Sequence, residues 1–375
     1  MLANTIAETM DLRSLAGMEG NCVTFYLGGH KAGAGSRPVN VRLKALLAEA
    51  ERRLEARGIL PTDREALLAP MRARAAEEDM AAGHAAGQAF FCTARGVEEV
   101  RIPWAVEDQV AVENRPYLVP LARGAETHPE YFLLALSREN TRMLRCGSLS
   151  QTAVDWPAGA PHKLEDFEGF DRAQHTRGQT GAGVKFGFDT FAEKQPNYLH
   201  DFYRAIDRAL QPLLEKQGLP LVVAGATQDL AVFKTVNSYS RMVPETIEGS
   251  PDGGITDAEL AAKGRAALKW WRPAEAVRAA EQYQRAGAGK KATEVEAILR
   301  AAAEGRVMHL FIAGELPETG NVDRILDRIP PSGSPGEGPD NLANAAAVET
   351  WRHDGHVWLG GEPLDGSAIA ALFRW

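Results

Sequence analysis

The residues best suited to chemistry lie together in one stretch, Asp171-Arg-Ala-Gln-His-Thr-Arg-Gly-Gln-Thr-Gly-Ala-Gly-Val-Lys-Phe-Gly-Phe-Asp189. It follows neither a helical nor an alternating apolar period and reads as a long loop. Gly178, Gly181, Gly183 and Gly187 free the backbone to take positive φ and to approach another molecule closely, while His175, Arg177, Gln179 and Lys185 supply polar tips. Long loops inside compact domains are functional or disordered, so a surface connection is the competing reading.

A second glycine run, Gly28-Gly-His-Lys-Ala-Gly-Ala-Gly-Ser-Arg-Pro38, lies between a strand-like segment and a helical one, with His30, Lys31, Arg37, Arg42 and Lys44 as cations in or just after it. A strand, glycine loop and helix in that order can hold a phosphate at the outward-pointing amides of the helix start. The nucleotide fingerprints are missing, however: Gly-x-x-x-x-Gly-Lys-Ser/Thr is not met and Gly33-Ala-Gly35 lacks a third glycine. Gly287-Ala-Gly-Lys-Lys291 misses the same spacing because position 284 is Gln, and reads as a helix connection. His-Glu-x-x-His, Gly-x-Ser-x-Gly, kinase and EF-hand signatures are absent. His353-Asp-Gly-His356 offers two imidazoles but no third ligand, so neither a metal nor another cofactor is expected. Trp270 and Trp271 sit on an apolar helical pattern and read as core.

These segments belong to a chain of 375 residues, 45% hydrophobic and 25% charged, the composition of a globular protein long enough for two or three domains. A formal net charge of -8 argues against a broad nucleic-acid-wrapping surface and leaves room for a local basic patch. DNA is not an expected partner. Cys22, Cys92 and Cys146 are scattered in largely apolar runs, which fits small core residues in a reducing compartment. The first residues lack the basic start and apolar core of a signal peptide, and no run approaches the roughly 18 apolar residues of a membrane span. A cytoplasmic location without membrane contact is expected.

Three α/β parts are expected: 1–128, 129–250 and 251–375. The first opens with a buried strand at Asn21–Leu27 and a helix at Val39–Arg57 that Gly58 ends, followed by a Thr62-x-x-Glu65 capping box for a helix interrupted near Pro70. Strands at Gln88–Thr93, Val97–Ile102 and Asp108–Val112 complete it. A hairpin of Tyr131–Leu136 and Thr141–Cys146 opens the middle part and places Ser137 and Cys146 rather than clustered carboxylates, so a two-metal nuclease is not expected. The glycine loop, a helix from Pro196 to about Lys216, a strand at Leu219–Gly225 and a helix capped by Thr227 follow. In the last part, helices at Thr256–Trp271, Ala274–Ala286 and Thr293–Glu304, the third with a Thr293–Glu296 box, lead to a strand at Arg306–Ile312. Pro330–Pro339 reads as disordered, Asn341–Arg352 as a helix, and Gly355–Leu359 and Ala370–Trp375 as strands.

With the parts laid out, the chain resembles the bacterial branch of the archaeo-eukaryotic peptide-chain release factor family, related to the termination factors and Pelota. The resemblance spans most of the sequence. It rests on Val23-Thr-Phe-Tyr-Leu, His30-Lys-Ala-Gly, Asn40-Val-Arg-Leu-Lys-Ala-Leu-Leu and Gly87-Gln-Ala-Phe-Phe in the first part. Tyr131–Leu136 with Arg142–Leu144 carry it in the middle, and Ala301–Ile312, Asn344-Ala-Ala-Ala-Val-Glu-Thr and Arg352-His-Asp-Gly in the last. It implies a ribonuclease H-like middle domain, a C-terminal α/β/α sandwich like the kink-turn-binding ribosomal proteins, and work at the ribosome with tRNA and a possible translational GTPase. The family's termination factors carry a Gly-Gly-Gln loop in the middle domain that enters the peptidyl-tRNA ester site. By position this is the stretch 171–189, which makes Gly178 and Gln179 the candidate catalytic residues. His175, Arg177, Lys185, His30, Lys31, Arg37, Arg42 and Lys44 are then candidate RNA contacts. Here the triplet is Arg177-Gly178-Gln179, with a side chain where the family has the freer glycine. Two other readings stay open: a binding module without hydrolysis, and a small-molecule or nucleotide enzyme built on residues 28–37.

Overall fold

The computed structural model describes residues 12–29, 38–76, 86–148, 150–165, 167, 190–269, 271, 273–314, 316–327 and 338–375. The fold is α/β, and its three larger sheets follow one another along the chain.

The first sheet is framed by α1 (Leu12–Ala16), β1 (Cys22–Gly28), α2 (Val39–Ala56), α3 (Pro61–Ala76), β2 (Gly87–Thr93), β3 (Gly96–Ile102), β4 (Gln109–Glu113) and α4 (Val119–Thr127). Its strands are antiparallel in the order β3-β2-β1-β4. Alternation along β1 sends Val23, Phe25 and Leu27 beneath Leu43, Leu47, Leu54, Leu68 and Met71 of α2 and α3, while Cys22 and Tyr26 enter a second core on the opposite face. Gly58 ends α2 with a φ of 74°, a left-handed conformation that favours glycine. The next helix departs from expectation: α3 starts at Pro61, ahead of the Thr62 expected to cap it, and continues through Pro70. Proline has the fixed φ that a first helical residue needs.

The middle sheet contains β5 (Tyr131–Ala135), β6 (Arg142–Cys146), β7 (Gln151–Ala153), β8 (Leu221–Gly225) and β9 (Ile247–Glu248), with α5 (Thr190–Gln217), α6 (Thr227–Val236) and α7 (Asp257–Leu268) against it. Strand order is β7-β6-β5-β8-β9; β6 runs antiparallel to β5, and β8 runs parallel to both β5 and β9. Counted within this part, the order 3-2-1-4-5 with a reversed second strand is the ribonuclease H-like arrangement. Phe132, Leu134, Val223 and their neighbours pack beneath Phe202, Ile206, Leu210 and Leu214 of α5. The other face, with Tyr131, Leu133 and Val222, packs on Leu260, Ala261 and Leu268 of α7. Helix α7, expected at Thr256–Trp271 and with the last part, thus completes the middle sheet and ends at Leu268. Helix α5 begins at Thr190 instead of Pro196, and Ala226, not Thr227, occupies the cap position of α6.

The last sheet contains β10 (Lys291–Ala292), β11 (Val307–Ile312), β14 (His356–Leu359) and β15 (Ile369–Phe373), preceded or interleaved by α8 (Ala274–Arg285), α9 (Val295–Ala303), α10 (Val322–Ile325), the ribbon β12 (Thr319–Gly320) and β13 (Asp340–Asn341), and α11 (Leu342–Arg352). Its order is β10-β15-β11-β14. Residues of α9 and α11 pack on one face, and Tyr283 of α8 packs with Ala370 and Leu372 on the other. Glu294 rather than Thr293 stands at the cap of α9, and it makes no side-chain cap bond. Asn341 caps α11, its side chain accepting from the Asn344 amide. The expected disordered segment lies largely outside the described residues.

Contacts divide the chain into two compact units, Met1–Thr127 with Pro273–Trp375, and His128–Arg272. Among the described residues no helix is long and apolar enough to cross a membrane.

Candidate functional site

The stretch 171–189, with Gly178, Gln179, His175, Arg177 and Lys185, lies outside the described residues, as do His30, Lys31 and Arg37. The elements that bracket the stretch are well anchored. On its N-terminal side, the Leu164 amide donates to the Arg138 carbonyl at 2.9 Å and the Thr141 amide to the His162 carbonyl at 2.9 Å. The Phe167 ring meets Phe202 of α5 edge-on with centroids 6.0 Å apart. On the other side, α5 presents Leu199, Phe202, Tyr203, Ile206, Leu210 and Leu214 to the sheet as one apolar stripe. Both stems are therefore set on the same rigid sheet.

The ends of β5 and β8 open into a cavity of about 360 Å³ lined by Ser137, Arg138, Ala226, Asp229, Ser250 and Asp252, among others. In open α/β sheets the crevice past the carboxyl ends of the strands is the usual ligand position. Ser137 Oγ accepts from the amides of Glu139 and Asn140, each at 3.0 Å, and its hydroxyl is bonded to Asp252. Arg138 donates to Asp229 at 3.0 Å and to Gln228 at 2.8 Å, and Arg142 donates to Asp257 at 3.0 Å. Sequence reading named Ser137, which lies here, and Cys146, which pairs with Tyr131 at the other end of the hairpin. It missed Asp229 and Asp252, which arrive from α6 and from the segment after β9. Each of these carboxylates already faces an arginine, and no group of three or more potential metal ligands occurs among the described residues.

Arg42 and Lys44 have different surroundings. Arg42 grips Asp108 with two contacts from Nη1 at 2.6 and 2.8 Å, and its Nη2 donates to the Gly28 carbonyl at 2.7 Å. This clamp ties α2 to the end of β1. Lys44, on an outer face of α2, is exposed.

The two imidazoles near the last turn also part company. His353 Nδ1 lies 2.9 Å from the Glu349 carbonyl, whereas His356 stacks on His309 with centroids 5.4 Å apart. Trp358 Nε1 donates to His309 Nδ1 at 3.2 Å. Burial first, and the neighbouring His356 second, push His309 down to about 4, and burial also lowers His356, so both are neutral at physiological pH. The cysteines are all buried and free; burial raises Cys92 to about 12 and Cys146 to about 11, which removes them as nucleophiles. Trp271 packs at the edge of the α7 core, and Trp270 is outside the described residues.

Residues 130–306 match the model of bacterial archaeo-eukaryotic release factor family 3. Among curated proteins no relative matches. Solved structures to which the chain is similar include an archaeal translation termination factor aRF1, 12% identical over 100% of this chain and 98% of that one, with a TM-score of 0.24. Pelota of Archaeoglobus fulgidus is 13% identical over 98% and 92%, with a TM-score of 0.30. Archaeal Pelota in a ribosome-bound model with ABCE1 is 10% identical over 100% and 94%, with a TM-score of 0.35. At these scores the structural likenesses carry no argument, and the family match stands by itself.

Proposed function

We propose that this chain, which over residues 130–306 matches the model of bacterial archaeo-eukaryotic release factor family 3, is a ribosome-associated, release-factor-like protein of translation termination, stalled-ribosome rescue or quality control. The observation that carries the reading is the coincidence of the family match with a ribonuclease H-like sheet whose chain between Phe167 and α5 holds the glycine-rich stretch. In this reading Gly178 and Gln179 meet the ester of a peptidyl-tRNA. Water attacks the carbonyl carbon, the bond to the ribose oxygen breaks, and a backbone amide or the Gln179 carboxamide steadies the developing negative charge. His175, Arg177 and Lys185 supply positive or polar contacts to RNA phosphates, with Lys44 a further solvent-facing cation on α2. A translational GTPase is a partner of the same proposal, and the cytoplasm its setting.

A second reading has its own observation. Arg177 stands where the family's loop has glycine, so the backbone before Gly178 is more restricted. A protein that binds the ribosome without cutting the ester follows from that restriction. Release of nascent peptide from purified stalled ribosomes, by wild type and by Gln179→Ala, separates the two. Hydrolysis predicts a loss of about 10²–10³ in the variant, the size found on removing one oxyanion donor. Equal release by both removes the role of the Gln179 carboxamide and leaves the backbone amide as the donor, and binding with no release by either selects the second reading.

A further inference from the structure

The compact unit formed by Met1–Thr127 and Pro273–Trp375 is built from two stretches far apart in sequence, and an unusual group of charged side chains lies buried where they meet. Arg57, just past α2, with its side chain 6% exposed, donates to Asp340 Oδ1 at 2.7 Å and to the carbonyls of Val112 and Pro339 at 2.7 and 3.0 Å. Arg115, just past β4, faces Glu349 of α11 at 3.6 Å and Asp340 at 3.9 Å. Two buried guanidinium groups thus meet two buried carboxylates. Glu113, at the end of β4, is the carboxyl left over. It accepts from the Asn341 amide at 3.4 Å and the Asn344 side chain at 3.0 Å.

Two observations point to a proton in this seam. Asp340 is fully buried and its Oδ2 accepts no hydrogen bond, a costly state for a carboxylate oxygen. Burial, and next the charge of Asp340, push Glu113 up to about 8. Its other ionisable neighbours are Cys22 and Tyr26 of β1, both buried with raised values, and Arg115, which pulls the other way. Arg352, at the rim, reaches Glu349 at 3.4 Å and donates to the backbone carbonyls of Ala16 and Met18.

We propose that this cluster is a proton-dependent lock: with its proton, Glu113 adds no charge to the two buried guanidinium groups and two buried carboxylates, and residues 12–127 and 273–375 close into one body; losing that proton buries an uncompensated negative charge beside them and loosens the closure. The lock is independent of the ribosome reading and can fail without it. Glu113 binds its proton more tightly in the closed seam than in water. The contribution to closure is therefore complete below the ordinary carboxyl range and is lost as pH rises through about 8.

Hydrogen exchange of the full chain, corrected for intrinsic rates, tests this at about pH 6 and about pH 9. Protection of β4 and α11 should fall by at least about tenfold between them, while β5 and β8 of the middle sheet hold steady. In Glu113→Gln, which cannot ionise, protection should be the same at both. Unchanged wild-type protection, or an equal fall in Glu113→Gln, overturns the proposal. If that variant does not fold, Asp340→Asn replaces it: without the neighbouring charge the transition should move to lower pH, and an unmoved transition overturns the lock.

Discussion

Asn344 ties the two stretches of the first unit together through four hydrogen bonds, and replacing it with alanine probes that tie. The residue is fully buried. Its side-chain oxygen accepts from the amides of Leu118 at 2.9 Å and Val119 at 3.3 Å, and its Nδ2 donates to Glu113 and to the Pro116 carbonyl, each at 3.0 Å. Asn344→Ala leaves all four partners without it in the interior. A buried polar group stripped of its partner costs about 1–3 kcal/mol, and because the four share one site and relax together, the costs do not add in full. We expect a loss of about 3–5 kcal/mol, a large share of the roughly 5–15 kcal/mol typical of a native domain. The assay is urea unfolding followed by tryptophan fluorescence, which reports Trp351 and Trp358 in this unit, with Asn140→Ala in an exposed turn as the control. A loss below about 1 kcal/mol in Asn344→Ala, indistinguishable from a surface substitution, would refute the reasoning.

Other expectations follow from single contacts. At Gly264 of α7 an added Cβ would stand 2.6 Å from the hydroxyl and 2.7 Å from a ring carbon of the buried Tyr131, so Gly264→Ala should cost about 1–3 kcal/mol by overpacking; unchanged urea unfolding of the middle unit would contradict it. Glu259 accepts from the Thr256 amide at 2.8 Å, and these bonds hold its carboxyl below the ordinary value. Its support for α7 should be present at neutral pH and vanish as acid protonates it; an exchange rate at the start of α7 with the same acid dependence in Glu259→Gln would count against this. Cys22, Cys92 and Cys146 should resist a thiol reagent in the native protein and react once it is unfolded, and rapid native labelling would contradict their burial.

Much of the architecture was readable from periodicity. A run of β-branched and aromatic residues identified β1 as a buried strand, and the helical spacing of Val41, Leu43, Leu46, Leu47, Ala50 and Leu54 gave α2 within a residue of its observed end, although Val41 is exposed. Helix starts were less legible, because a capping pattern names a local option that the backbone need not take. Thr-x-x-Glu stands near helix starts at Thr62, Thr256 and Thr293, among other places in the chain, yet the reciprocal box is found at Thr256, for which sequence reading gave no cap, while α3 and α9 begin elsewhere. The polar groups that matter most for packing were hidden for a different reason. Asp229 and Asp252 reach the end of β5 only through sheet order, and Glu113 meets Asp340 and Asn344 only when residues more than two hundred positions apart pack together. One signal was present: Asn344 interrupts the otherwise apolar Leu342–Val348 run, and a buried asparagine in such a run needs partners.

The central claim, that this chain works at the ribosome, is tested most directly by co-sedimentation of the full protein with purified ribosomes across a salt series. The account predicts that it pellets with ribosomes at about 50 mM salt and that the bound fraction falls steeply by about 200 mM, as phosphate contacts require. A protein that stays in the supernatant at the lowest salt, with ribosomes in excess, contradicts the account.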